Sequence, residues 1–300
     1  MQEQKFRVLI LGHGEMGQAM EYLLAPYHSL RIWQRRPPAG ETPVELATVV
    51  PESDVILFCL PATALAAVSA LIAPQLRGAT LCLTIAKGLD DSGRLPFTVL
   101  AEAVGSARVA VLYGPTISEE IRTGKPAFAE CSTPEPSACD RIANLYRGSS
   151  LHIRHSGDIL GLSWSAILKN VYAMAFGMAD ELNLGDNTRG FLAATALHEL
   201  SAIVQHLGGK RATPYRLAGL GDLITTATST GSHHHELGRL IARGARDQLN
   251  GEGIHTLAVL RGAGHFSTTS FPMFHLIDSC LREPGKTRAQ FMDFLLHNAD

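Results

Sequence analysis

Three glycines, Gly12, Gly14 and Gly17, follow the apolar run Phe6-Arg7-Val8-Leu9-Ile10-Leu11 directly, in the spacing Gly-x-Gly-x-x-Gly. A helical pattern through Met20 and Leu24 starts at once after them. A chain that passes from strand to helix in so few residues uses the first glycine for the tight turn and the second for close approach of backbone to a ligand. The third lets helix pack on strand. The helix start then presents unpaired N–H groups and the positive end of its dipole to an anion. The pattern predicts a pyrophosphate cradle formed by Gly12, Gly14, Glu15, Met16 and Gly17.

The rest of the first half repeats the alternation. Leu30–Trp33, Asp54–Leu60, Thr80–Ile85, Arg108–Tyr113, Pro126–Cys131 and Leu151–Ile153 read as short apolar strands, with helical segments such as Leu95–Ala103 between them. Strands apolar on every residue are those buried on both faces, as in a parallel sheet covered by helices. Beyond Ser156 the pattern is long and helical, over Asp158–Ala179 and again over Phe191–Leu207. The expected fold class is α/β, a Rossmann-type doubly wound parallel sheet followed by an all-helical domain. The division is placed at residues 1–155 (dinucleotide-binding) and 156–300 (helical, substrate and catalytic), two domains being the ordinary arrangement for 300 residues.

Composition narrows the function. A formal net charge of −2 gives no basic field for nucleic acid and no polybasic patch for a membrane surface. The longest apolar stretch, Val55–Val68, is interrupted by Pro61 and is too short to span a bilayer, so no membrane insertion is expected. The opening Met-Gln-Glu-Gln-Lys runs straight into a strand, leaving no room for a leader peptide. Five cysteines without Cys-x-x-Cys spacing, three of them inside apolar runs, suit a reducing cytoplasmic compartment.

The end of the second strand distinguishes the two nicotinamide cofactors. An acidic residue there receives the ribose 2′-hydroxyl of NAD, and an arginine the 2′-phosphate of NADP. The chain reads Trp33-Gln34-Arg35-Arg36-Pro37, with no carboxylate. Guanidinium forks onto phosphate, so NADP is the expected cofactor, with NAD possible and Arg35 or Arg36 as the contact. A solvated basic turn is the alternative.

Four segments taken together resemble the NAD(P)-dependent glycerol-3-phosphate dehydrogenases of bacteria. Ile85-Ala86-Lys87-Gly88-Leu89 resembles that family's Thr-Lys-Gly-Leu, and Tyr113-Gly114-Pro115-Thr116-Ile117-Ser118 its Gly-Pro-Thr/Ser loop. Leu168-Lys169-Asn170-Val171 resembles its Leu-Lys-Asn-Val helix, and Leu217-Ala218-Gly219-Leu220-Gly221-Asp222-Leu223 its Leu-Ala-Gly-Leu-Gly-Asp-Leu. The resemblance implies interconversion of dihydroxyacetone phosphate and sn-glycerol 3-phosphate, which supplies phospholipid synthesis. It makes Lys169, Lys87 and Asp222 the catalytic residues. It also places Gly114, Ser118 and Glu252 beside the cofactor, Thr116, Asn170, Thr226, Ser232, His233 and His234 beside a phosphorylated substrate, and the chain in a homodimer.

The residues themselves agree with parts of this. Lys169 lies in a helix that is apolar on nearly every side, and burial lowers a lysine's pKa toward the range of general acid–base chemistry. Lys87 follows a buried strand near the carboxyl edge of the sheet, where it would stabilise oxyanion charge. Asp222 would hold a lysine or a substrate hydroxyl, or equally serve as a helix N-cap, since it follows glycine and precedes an apolar run.

One segment departs from the family. Where its Ser-Arg-Asn stands, this chain has Ser232-His233-His234-His235. Imidazole lacks the fixed charge and the fork of guanidinium. The histidines would then hold phosphate when protonated, or the substrate is another hydroxy acid or phosphorylated alcohol, or the stretch binds nothing. A metal site is not expected, because adjacent histidines lack a distant carboxylate or cysteine partner. A non-catalytic NADPH-binding paralogue is the reading furthest from catalysis. Glu15-Met16 also replaces the family's Ser-Trp or Ser-Tyr.

Overall fold

A computed structural model describes residues 5–40, 42–229, 231–245 and 249–298. Met1 to Gln4, the first four residues of the opening that was read for a leader, lie outside the described residues. The chain divides into two units, one of residues 1–90 and 94–159, the other of residues 91–93 and 160–300.

The first unit alternates strands and helices in the order β1 (Arg7–Leu11), α1 (Glu15–Leu24), β2 (Ser29–Trp33), α2 (Leu46–Val49), β3 (Val55–Phe58), α3 (Leu65–Ile72) and β4 (Leu81–Thr84). It continues through α4 (Pro96–Val104), β5 (Val109–Tyr113), α5 (Ser118–Arg122), β6 (Ala127–Ser132), α6 (Pro136–Leu145) and β7 (Leu151–His155). The strands form one sheet in the order β2-β1-β3-β4-β5-β6-β7. The order reverses between β1 and β3, and a ligand of a doubly wound sheet binds at the carboxyl edge of such a switch point. The glycine loop leaves β1 there.

Both faces of the sheet are covered, which is why its central strands are apolar throughout. Val8 and Ile10 of β1 point into one core with Leu57, Leu83 and Leu112, while Leu9 and Leu11 point into the other with Ile56, Phe58 and Cys82. The period-two alternation of a strand feeds two cores from a single run. Full burial of a side chain of this size contributes on the order of 2 kcal/mol. One pairing departs from the parallel expectation: β6 runs antiparallel to β5, with Leu112 opposite Cys131. The edge strands β2 and β7 are less buried than the five between them.

The second unit is helical: α7 (Ile159–Glu181), α8 (Gly185–His206), α9 (Asp222–Thr228), α10 (His233–Ala242), α11 (Glu252–Ala263), α12 (Pro272–Arg282) and α13 (Thr287–His297). Of the described helices α7 alone is long and apolar enough to cross a membrane, a segment that the reading centred on Val55–Val68 passed over. Its residues Gly161–Ala179 are buried without interruption, so here it is the central core helix. Glycines let α10 approach it. A methyl group at Gly177 would stand 1.9 Å from the His235 carbonyl oxygen, and one at Gly238 2.0 Å from that of Met174. This crossing fixes where the histidine segment lies against α7.

Candidate active site

The glycine loop meets the geometric demands of its motif one position at a time. Gly12 has φ +94°, and a Cβ there would lie 2.5 Å from the Cys59 carbonyl oxygen of the neighbouring strand connection. At Gly17 a Cβ would lie 2.2 Å from the carbonyl oxygen of Gly12, so α1 seats directly on the turn. Gly14 differs: nothing lies within 4 Å of the position its Cβ would take. Two glycines thus build the turn, and the third leaves open space at the helix start. That space and the N–H groups around it fit a dinucleotide pyrophosphate.

The side chains of the loop divide. Met16 is half-buried and packs on the core beneath the sheet. Glu15 is exposed in the first turn of α1 and receives a long hydrogen bond of 3.4 Å from the Ser118 hydroxyl at the start of α5. Arg35 and Arg36 are exposed just beyond β2 and make no ion pair among the described residues, leaving both guanidiniums available to an anion. On the far side of the sheet centre, Lys87 Nζ donates to the Gly114 carbonyl at 3.0 Å, and the Thr116 hydroxyl donates to the same oxygen at 3.2 Å. Gly114 must be glycine, because a Cβ would meet the Phe128 carbonyl oxygen at 2.4 Å. Lys87, Gly114 and Thr116 are therefore one cluster.

The second unit holds the other cluster. Lys169, only 5% exposed in the middle of α7, puts its Nζ 3.2 Å from Oδ1 of Asp222 and donates to the Thr226 hydroxyl at 2.5 Å. Asp222 and Thr226 stand one helical turn apart on α9, on one face. The Thr226 hydroxyl donates to the Asp222 carbonyl at 2.7 Å, which leaves its lone pairs to receive Lys169. The N-cap alternative for Asp222 is corrected: Gly221 occupies that position, with no side-chain cap, and Asp222 is the first helical residue. Nor is burial the whole environment of Lys169, since a carboxylate in contact stabilises the ammonium form against desolvation.

The Leu-Ala-Gly-Leu-Gly segment before α9 is a single π-helical turn, Leu217–Gly221. A Cβ on Gly219 would lie 2.1 Å from the Pro214 carbonyl oxygen, so the turn folds tightly on what precedes it. Such π turns recur at functional sites. Here the turn delivers Asp222 to Lys169.

The histidine run separates into different surroundings. Ser232 is the N-cap of α10, its hydroxyl accepting from the His235 N–H. His233 is exposed and its Nε2 lies 2.9 Å from the Asn250 carbonyl oxygen. His234 abuts Gly253: a Cβ there would meet His234 Cδ2 at 3.0 Å and the Asn170 carbonyl oxygen at 3.2 Å. Asn170, His234, Gly253 and its neighbour Glu252 therefore gather next to Lys169, while His233 faces Asn250. His235 is buried on Asp180, Nε2 to Oδ2 2.8 Å. Burial pushes the Asp180 carboxyl up, but hydrogen bonds from Arg189 and His235 outweigh it and leave its pKa below the ordinary value.

Sequence reasoning did not find two of these arrangements. The Asp180–His235 pair spans 55 positions and carries no local signal. Glu199, buried in α8, accepts from the Met273 and Phe274 N–H groups at 2.7 and 3.0 Å and from the Tyr172 hydroxyl at 2.9 Å. It thereby caps α12 from a distance. Among the described residues no three or more histidine, cysteine or acidic side chains cluster as metal ligands do.

Comparison with known proteins bears on the whole chain. Residues 41–139 match the family profile of the NAD-dependent glycerol-3-phosphate dehydrogenase N-terminus, and residues 158–291 that of the C-terminus. The glycine loop lies before the first matched span. The chain is 31% identical to glycerol-3-phosphate dehydrogenase (NAD(P)+) of Gloeobacter violaceus, covering 98% of this chain and 99% of the relative. It is 30% identical to the enzyme of the same name from Azotobacter vinelandii, over 96% and 94%. The crystal structure of glycerol-3-phosphate dehydrogenase from Coxiella burnetii shares the fold, with a TM-score of 0.84 at 23% identity over 96% of this chain and 99% of that one.

Proposed function

The chain belongs to the NAD-dependent glycerol-3-phosphate dehydrogenase family, and from that premise we propose that it transfers hydride between NAD(P)H and dihydroxyacetone phosphate, forming sn-glycerol 3-phosphate for phospholipid synthesis. The observation that carries the reading is the triad of Lys169, Asp222 and Thr226, a buried ammonium held by one carboxylate and one hydroxyl. The nicotinamide supplies or receives the hydride. Everything else falls to the chain's own groups.

Lys169 is the proton shuttle to the substrate oxygen, a general acid in the reduction and a general base in the reverse direction. Asp222 keeps the ammonium in place, and Thr226 fixes its direction. Lys87, aligned by the Gly114 carbonyl, stabilises negative charge developing on oxygen. Gly12, Gly14 and Gly17 hold the pyrophosphate, with Glu15 and Ser118 at its edge. Arg35 and Arg36 favour NADPH, because two exposed guanidiniums and no carboxylate stand at the end of β2. By the family resemblance, Asn170, Ser232, His234 and Glu252 of the helical unit serve the substrate and nicotinamide, and Thr116 of the first unit serves the substrate. The substrate phosphate is the charged group that α10 and the Gly251–Gly253 segment receive.

A homodimer in the cytoplasm accompanies this reading. The helical unit exposes the apolar side chains Tyr215, Ile224, Met292 and Leu296, which a second copy could cover in part. Light scattering of the purified chain reads its mass directly, and a monomer at micromolar concentration excludes the pairing.

The contact of His233 with the Asn250 carbonyl favours a second reading, a dehydrogenase for a different hydroxy acid or phosphorylated alcohol. Oxidation of NADPH and NADH against a panel of carbonyl compounds, phosphorylated and not, separates the two. Dihydroxyacetone phosphate is expected to give the highest kcat/KM, well above a Lys169→Ala control. Preference for an unphosphorylated carbonyl supports the second reading. Tight NADPH binding without turnover of any member leaves only a cofactor-binding paralogue.

A further inference from the structure

Two of the five cysteines touch. Cys131, on β6, and Cys139, on α6, place their Sγ atoms 3.2 Å apart, and Cys139 Sγ is 3.6 Å from the Cys131 carbonyl oxygen. The separation in a disulfide is about 2.0 Å, so the two sulfurs need approach by only about an ångström to bond. Both thiols are free and buried. Their surroundings differ in a way that assigns roles. Cys139 is the fourth residue of α6, near the positive end of that helix, and the Cys131 thiol as hydrogen-bond partner holds its pKa below the ordinary value. The same contact, with burial, pushes the Cys131 thiol up. Of the two, Cys139 is therefore the more readily ionised.

The remaining cysteines have neither feature. Burial pushes Cys82 and Cys280 up to about 12 and Cys59 higher still, and none of the three contacts another sulfur among the described residues.

We propose that Cys131 and Cys139 are a dithiol modification site that closes to a disulfide on meeting a two-electron oxidant of the hydroperoxide class. Cys139 gives up its proton and the thiolate attacks one peroxide oxygen; the O–O bond breaks, and the leaving hydroxide takes up that proton as water, giving a sulfenic acid. The Cys131 thiol then attacks that sulfur, its proton leaving with the hydroxyl as water. Two thiols and one hydrogen peroxide yield one disulfide and two waters. Access runs through the exposed residues Pro134 to Ser137 that lead into α6, where opening of the first helical turn uncovers Cys139. The bond ties the start of α6 to β6, the strand whose backbone at Phe128 and Ala129 packs against Gly114, the partner of Lys87.

The test treats the whole protein with hydrogen peroxide, alkylates it in denaturant and digests it with trypsin, which keeps both cysteines in one fragment from Thr123 to Arg141 because Lys125 precedes proline. Mass spectrometry is expected to find this fragment unalkylated and two hydrogens lighter than its reduced form, with Cys59, Cys82 and Cys280 still alkylated and both thiols of the fragment restored by dithiothreitol. In Cys131→Ala, Cys139 is expected to become trappable as a sulfenic acid by dimedone. Sulfinic acid at Cys139 of the wild-type protein without a link overturns the proposal. So does peroxide-resistant alkylation of both residues, or oxidation of the other three first. The wild-type result decides even where a variant folds poorly.

Discussion

On the proposed function, the glycine loop and the Lys169 cluster prepare for a small molecule by opposite means. The loop is backbone: Gly12 and Gly17 are fixed by contacts at which a single carbon would collide, and Gly14 faces open space. The cluster is side chain: an ammonium, a carboxylate and a hydroxyl from two helices meet, all three buried in the helical unit. A backbone cradle binds without titrating, whereas a buried charged trio is where a proton is held and moved. On the proposed function, the difference assigns affinity to the loop and chemistry to the cluster.

The largest expected effect removes the chemistry and leaves the cradle. Lys169→Ala should lower kcat by about 10²- to 10⁴-fold, the usual worth of a general acid–base group. NADPH affinity, read by fluorescence titration, should change little. Because Asp222 loses its partner, Lys169→Ala/Asp222→Asn and a circular-dichroism melt accompany the test. An equal loss of cofactor binding and turnover would break the division between the two regions.

The next effect reverses it. Gly12→Ala strains a positive φ and drives a methyl group against the Cys59 carbonyl, so the fold itself should lose on the order of 1–3 kcal/mol, visible as a lower urea midpoint. Gly14→Ala meets no protein atom. It should leave the urea midpoint nearly unchanged and weaken NADPH binding by about tenfold, because the methyl group occupies ligand space. If Gly14→Ala destabilises as much as Gly12→Ala, the open space belongs to the fold and not to a ligand.

The same contrast explains what could be read from the chain. The loop is local: strand, turn and helix occupy consecutive residues, and each glycine performs the part its spacing announces. The central strands were legible for a related reason, since a strand feeding two cores is apolar along its buried run, as Val8, Leu9, Ile10 and Leu11 show. The reversal of β6 was not legible. Its apolar run looks like the others, and strand direction comes from a connection that carries only the short helix α5. In the helical unit, the pairing of Lys169 with Thr226 spans 57 positions and depends on a π turn and a glycine contact that no periodicity reports. Family resemblance supplied those names, and it gave no hint that His233 would face Asn250 and His235 would bury against Asp180.

A smaller effect tests the cofactor end by charge. Replacing both Arg35 and Arg36 by Gln removes the guanidiniums beside the expected 2′-phosphate. KM for NADPH should rise by about 10-fold, the size of one charge-assisted hydrogen bond, and KM for NADH should stay within a factor of two. Equal losses for both cofactors would make the pair a general anion attractor and remove the reason for preferring NADPH.

The smallest effect comes from a carboxylate that serves the helical unit alone. Burial pushes Glu199 above its ordinary pKa, against the opposing hydrogen bonds from Met273, Tyr172 and Phe274. The native state therefore binds more protons than the unfolded chain at pH values just above about 4.3, the ordinary glutamate value. Its contribution to stability is full below that value and is lost as pH rises through the raised native value. Asp180 acts with the opposite sign, because its native pKa is lowered and its contribution is lost as pH falls through that value. Glu199→Gln removes one of these two slopes. Urea unfolding of both proteins at pH 4.5 and pH 7 should then show the wild-type advantage shrinking as pH rises. An advantage that grows with pH would mean that the N–H groups at the start of α12 outweigh desolvation, and that Glu199 is a stabilising anion in the native protein.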